Sequence, residues 1–199
     1  MANVSHGGFR WVFNKQSPGA PPPIRGLPVA TGYATKLCRG APVKLLSDGT
    51  VDLAAPAETI YGVMDGVEQY YDGTVVRSGI ALPASTAWGT NITRQSRVRV
   101  ILARGQMFQV QADENTTATT LLAYQAFVGE NVEFTAGTNV GDESGCQVDI
   151  SGHATTSTFA CRIEDVPSKE SQDFTSTGVV LHVSFNLIQD TGSGSTTGT

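Results

Sequence analysis

Apolar and polar positions alternate with a period of two over many short runs of this chain, and turn residues separate the runs. The clearest case is residues 40–66, GAPVKLLSDGTVDLAAPAETIYGVMDG. Two apolar runs, residues 42–46 and 51–55, flank Asp48-Gly49, and a third, residues 60–64, follows Pro56. Glycine reaches positive φ without penalty and aspartate tolerates it, so Asp-Gly between such runs predicts a hairpin. The third run extends the hairpin to a β-meander.

The same reading carries through the rest of the chain. Residues 69–73 form a polar break, and residues 74–82 are another apolar run with Gly79 as a candidate bulge. In residues 97–102 the alternation puts Arg97 and Arg99 on one face and Val98, Val100 and Leu102 on the other. Arg104-Gly105 then turns the chain, and Phe108 and Val110 share a face on the way back, which predicts a second hairpin. Further strands are predicted at residues 131–135, 146–150, 159–164 and 178–188. Residues 113–127 read as a loop leading to a short helix or strand, because helix-compatible Leu121, Leu122 and Gln125 follow a cluster of β-branched threonines. The fold class is therefore all-β: an antiparallel β-barrel or sandwich with at most one short helix.

Residues 1–33 break the pattern and predict an extended, Pro-rich N-terminal arm. Phe9, Trp11 and Phe13 alternate with Arg10 and Val12, and prolines 18, 21, 22, 23 and 28 follow. Proline fixes φ and removes a donor, which excludes a central strand or helix interior there. The aromatics suit an arm that docks on a neighbouring subunit through Phe9, Arg10, Trp11, Phe13 and Arg25. The competing reading is a terminus whose aromatics cover their own domain. The predicted organisation is an arm (1–33), a β-barrel or meander body (34–112), a second β-rich part of that body or a small second β domain (113–189), and a Gly/Ser/Thr-rich tail (190–199).

Composition agrees with strands and turns: charged residues are 16% against a usual ~25%, and there are 22 glycines. The net charge of −5 is uneven. Residues 1–50 hold six basic side chains and one acidic, and the remainder hold seven basic and seventeen acidic. A basic front on an acidic body suggests contact with an acidic surface, such as another copy of the body. The basic residues are too dispersed for a nucleic-acid footprint, so no nucleic-acid partner is expected. No run approaches the ~20 apolar residues of a membrane span. The expectation is a soluble protein with no membrane partner, resident in a cytosol or in an assembly made there.

Candidate chemistry is sparse. His6, His153 and His182 lie in the arm, a Gly/Thr loop and the polar face of a strand, and neither His-x-x-x-His nor Cys-x-x-Cys occurs. Cys38, Cys146 and Cys161 are odd in number, and the last two fall on core-facing positions, where a thiol acts as a small hydrophobe. No G-x-S-x-G or phosphate-binding loop is present. Acidic pairs such as Asp142/Glu143 and Glu164/Asp165 sit in turns or at strand ends, where a hydrolase would need converging carboxylates. No catalytic residue, metal or cofactor is assigned, and an enzyme is not expected.

The order Gly-x-Pro-Val-x-Leu, Asp-Gly-Thr-Val-x-Leu-Ala, Ile-Tyr-Gly-Val within residues 40–63 resembles the small β-rich decoration (cement) proteins of tailed-bacteriophage capsids. Residues 160–166, ACRIEDV, and the strand at 179–186 resemble how such head proteins finish. The resemblance covers residues 35–110 in pattern and 128–190 more faintly, and it carries over no functional side chains. It implies a virion protein on the capsid exterior, assembled in the host cytoplasm, often a homotrimer, whose partners are the major capsid protein and copies of itself. An alternative from another class is a head-fibre or glycan-binding adhesion module. That would need exposed aromatics, such as Trp88 with Tyr70 and Tyr71, at one end of the barrel.

Overall fold

A computed structural model describes residues 7–30, 33, 35–71, 74–84, 95–113, 118–156, 158–168 and 172–189. The strands are β1 (Arg10–Asn14), β2 (Ile24–Pro28), β3 (Pro42–Leu45), β4 (Val51–Leu53), β5 (Gly62–Tyr71), β6 (Val76–Gly79), β7 (Arg97–Leu102), β8 (Gln106–Gln111), β9 (Asn131–Thr135), β10 (Gln147–Ala154), β11 (Cys161–Asp165) and β12 (Val180–Phe185). One short helix, α1 (Leu121–Gln125), precedes β9. The all-β class with a single short helix is as expected from the sequence.

The strands form two antiparallel sheets. Sheet A has the order β1-β8-β12-β11-β9-β10, and sheet B the order β2-β7-β5-β3-β4, with β6 also paired to β5. Each curls back on itself through one bridge: Val29 meets Val51 across the ends of sheet B, and Ala112 at the end of β8 meets Val148 on β10 in sheet A. Each sheet therefore encloses its own core. Phe108, Val110, Val132, Phe134, Ile163 and Leu181 lie at the centre of one, and Leu37, Val43, Met64, Leu82, Val98 and Val100 at the centre of the other.

Sheet B is apolar on both faces where it meets sheet A. The cross-strand pair Met64↔Val100 points into its own core, while the adjacent pair Val63↔Ile101 points into the core of sheet A. A strand buried on both faces loses strict alternation. That is why Ile101 interrupts the pattern expected for residues 97–102.

Three local expectations change once partners are known. The Asp48-Gly49 hairpin forms: Gly49 sits at φ 80°, and Asp48 Oδ1 accepts from the Thr50 amide (2.9 Å) and hydroxyl (2.7 Å), bonds that hold the exposed carboxyl below its ordinary range. The meander does not form, because β5 lies on the other side of β3, through Pro42↔Val63 and Val43↔Gly62. Residues 69–71 are not a break but the end of the ten-residue β5, where Gln69 faces Arg97 and Tyr70 faces Arg77. The second hairpin is also replaced. β7 and β8 enter different sheets, because the Ala103 amide turns to the Tyr61 carbonyl (3.0 Å) and β8 pairs with β1 and β12. The change of sheet thus falls at residues 103–105, while Ala112 and Asp113 remain bonded within sheet A.

The helix is fixed by the residue just before it and by its own fourth residue. Thr120 Oγ1 accepts from the Ala123 amide (3.2 Å) as N-cap, and Tyr124 is fully buried against the rings of Phe127 and Phe174.

Residues 7–30 differ most from the expected arm. β1 pairs with β8 in sheet A and β2 pairs with β7 in sheet B, so this segment supplies an edge strand to each sheet. Its prolines fall outside these strands or at the end of one, as a missing N–H requires. The other end of the described chain ties the sheets together again. Beyond β12, Ile188 bridges Ile60, and the Gln189 side chain bonds both the amide (2.9 Å) and the carbonyl (2.7 Å) of Leu45. The predicted tail, residues 190–199, lies outside the described residues.

Just past β1, Lys15 Nζ reaches Glu164 Oε1 on β11 (2.5 Å), and the Ser184 hydroxyl on β12 donates to the same oxygen. Burial alone would raise the Glu164 carboxyl, but these bonds and the nearby Lys15 and Arg162 charges outweigh it and leave it lowered. A depressed carboxyl contributes stability above its ordinary value and loses it as pH falls through the folded value. Urea unfolding midpoints of the native chain are therefore expected to fall more steeply between about pH 5 and 3 than those of Glu164→Gln. Parallel curves would refute the coupling.

Candidate functional site

Three distant segments meet where the two sheets touch. The Phe9 amide donates to the Gly40 carbonyl (2.9 Å), the Arg39 amide to Asp142 (3.0 Å), and the Ser144 amide to the Arg39 carbonyl (2.8 Å). Side chains reinforce the junction. Lys36 Nζ binds the Gly141 carbonyl (2.7 Å) and Asp142 Oδ1 (2.8 Å), and the hydrogen bond to Asp142 raises the Lys36 pKa. Arg39 grips Glu143 with two nitrogens, Nε to Oε2 at 3.3 Å and Nη2 to Oε1. Such fork-to-fork pairing fixes direction as well as charge.

Beside this junction lies a cleft of about 280 Å³. β1 contributes Arg10 and Trp11, with Phe9 just before it; β5 contributes Val63, Met64 and Asp65; Pro22, Arg39 and Ile101 complete the lining. Trp11 is held by a bond from its indole Nε1 to Gln106 Oε1 (2.8 Å). Asp65 Oδ2 is 3.5 Å from Arg99 Nη2. Arg10 Nη2 is 3.7 Å from Glu143 Oε2, beyond a hydrogen bond, and Arg10 Nε is buried with no acceptor among the described residues.

The five residues expected to grip a neighbouring subunit thus divide. Phe9 requires a correction. It is 1% exposed, its ring 5.0 Å from that of Phe185 and edge-on to that of Phe134 at 6.2 Å, and it belongs to its own core rather than to a partner. An aromatic ring this apolar gains more from full burial than from waiting at a surface. Arg10 and Trp11 are half-buried in the cleft wall. Phe13 is half-buried on β1 opposite Met107, and Arg25 is exposed on β2, its Nη1 donating to Tyr61 Oη (3.0 Å). Arg39, Asp65 and Glu143 escaped the sequence reading because no local spacing links three segments brought together only by the docked sheets.

Reactive groups elsewhere are subdued. Burial raises the pKa of Cys38, Cys146 and Cys161, against which a Lys36 charge and a Ser144 hydrogen bond act weakly at the first two. All three are free thiols, and the raised pKa of each disfavours the thiolate. His153 pairs through Nδ1 with Glu130 Oε2 and rests against the Phe127 ring. Among the described residues, no three His, Cys, Asp or Glu side chains gather as a metal would need. No described helix is long and apolar enough to cross a membrane. Tyr70 and Tyr71 end β5 half-buried, while Trp88, the third member of the aromatic platform an adhesin would use, lies outside the described residues. No protein-family model, curated protein or solved structure matches this chain.

Proposed function

We propose that this chain is a virion structural protein that decorates and cements the outer surface of a tailed-phage capsid. In this role it bridges major capsid subunits, and copies of it associate, as a trimer, at the lattice positions they reinforce. The resemblance of residues 40–63 motivates the reading, and one surface supports it. On and beside β6, a strand paired only to β5, Val75, Val76 and Ile80 are 48%, 57% and 47% exposed. Soluble proteins seldom leave grouped aliphatics on a strand unless something covers them.

The body suits the task mechanically. Residues 7–30 are paired into both sheets, and the β12 end is bonded back to sheet B, so a shear between the sheets must break backbone ladders rather than slide one surface. Each cemented copy adds modest contact, and many copies multiply it by linkage through the shell.

The test is co-sedimentation of the purified chain with DNA-free shells of the phage that encodes it, alongside Val76→Lys. The native chain is expected to pellet with the shells at a fixed stoichiometry. A buried lysine in place of valine is expected to weaken that binding at least about tenfold while leaving the thermal midpoint unchanged. A native chain that stays in the supernatant overturns the capsid reading. A Val76→Lys chain that binds equally well removes β6 from the interface.

A further inference from the structure

We infer that the cleft between the two sheets is a receptor for a carboxylate carried next to an apolar side group, as on an acidic segment of a partner protein. The inference does not depend on whether that partner is a capsid. Its basis is an imbalance of charge in a half-apolar setting. The lining holds two guanidinium groups, Arg10 and Arg39, against one carboxylate, Asp65. Each of the other two ionic partners is spoken for: both oxygens of Glu143 are taken by Arg39, and Asp65 faces Arg99 at 3.5 Å.

Arg10 is the less well served of the two. It shares Glu143 Oε2 with Arg39 across 3.7 Å, an ion pair without a hydrogen bond, and its Nε meets no acceptor among the described residues. Its side chain is 39% exposed and forms part of the cleft lining. A guanidinium offers a flat pair of donors that a carboxylate fits with two parallel bonds. Around it stand Phe9, Trp11, Pro22, Val63, Met64 and Ile101, which would desolvate that pair and hold an aliphatic or aromatic group beside it. Apolar walls with a few placed polar groups are the usual makeup of a binding cleft. A volume of about 280 Å³ admits one or two side chains, not a folded domain.

Asp65 sets the selectivity. A second negative group reaching toward β5 would meet it, so one carboxylate on an apolar body is preferred over a dicarboxylate.

The experiment uses the full chain carrying Trp88→Phe, which leaves Trp11 as the single indole of a chain with two tryptophans. The readout is the Trp11 indole N–H resonance, titrated with N-acetyl-L-phenylalanine as its carboxylate and with N-acetyl-L-phenylalaninamide, which shares the apolar body without the charge. Saturable shifts in the millimolar range are expected for the carboxylate, with the amide roughly tenfold weaker. Arg10→Gln is expected to erase that preference, Arg10→Lys to retain part of it, and Asp65→Asn to strengthen carboxylate binding. Thermal melts confirm that each variant is folded. No saturable shift up to about 50 mM, equal affinity for acid and amide, or a preference that survives Arg10→Gln would each overturn the assignment.

Discussion

Phe9→Ala is expected to destabilise the chain by about 3–5 kcal/mol, the range for removing a fully buried aromatic ring. For a chain of this length that lowers the thermal midpoint by roughly 6–20 °C. The magnitude follows from what the ring touches. Phe9 is 1% exposed and packs on Phe134 and Phe185, and Phe185 in turn packs on Phe108 at 5.4 Å. Its backbone is pinned by the bond to Gly40, so the site cannot readily collapse into the cavity. Arg25→Ala, on the same segment but exposed, is the control and is expected to stay within about 1 kcal/mol. Urea unfolding of both variants decides the matter. If Phe9→Ala melts like the native chain and Arg25→Ala does not, the N-terminal segment is a loosely attached arm. By the same argument, a chain lacking residues 1–28 is expected to be unfolded rather than a folded body that has lost its grip.

Gly62→Ala is the second large effect, expected to destabilise by about 3 kcal/mol or more, at the top of the overpacking range. A Cβ on Gly62 would stand 2.3 Å from the Ile101 carbonyl oxygen and 2.5 Å from Val100 Cγ1. The first neighbour is backbone held in the β5–β7 ladder, through Gly62↔Leu102 and Val63↔Ile101, so it cannot swing aside as a side-chain tip would. Hydrogen exchange offers a local readout. The Ala103 amide, bonded to the Tyr61 carbonyl beside this point, is expected to lose protection first. A Gly62→Ala chain with native stability and a protected Ala103 amide would show that β7 can shift without loss.

Local chemistry was legible in the amino-acid order. Asp48-Gly49 closes its hairpin with bonds that Asp48 and Thr50 make within three residues, and Thr120 caps α1 just as locally. Alternation correctly put Val98 with Val100, and Phe108 with Val110, on buried faces. It also marked the core-facing Cys161.

Neighbour choice was not legible. A period of two states which residues share a face, yet nothing in it names the strand alongside. β5 beside β3, and β8 beside β12 instead of β7, depend on which pairing buries the most apolar surface over the whole molecule. The aromatic pattern at residues 9–13 likewise suits a docking arm or an edge strand, and only the phenylalanines of β9 and β12 waiting in the core settle that Phe9 stays at home. The cleft lies furthest from the sequence. Arg10, Arg39, Asp65 and Glu143 are scattered along the chain and share no motif. Turn residues and alternation, which act over a few neighbours, determined that this protein is built of short antiparallel strands. Burial, which is summed over every contact at once, determined that the strands close into two sheets, that the N-terminal segment joins both, and that an underpartnered arginine faces the seam between them.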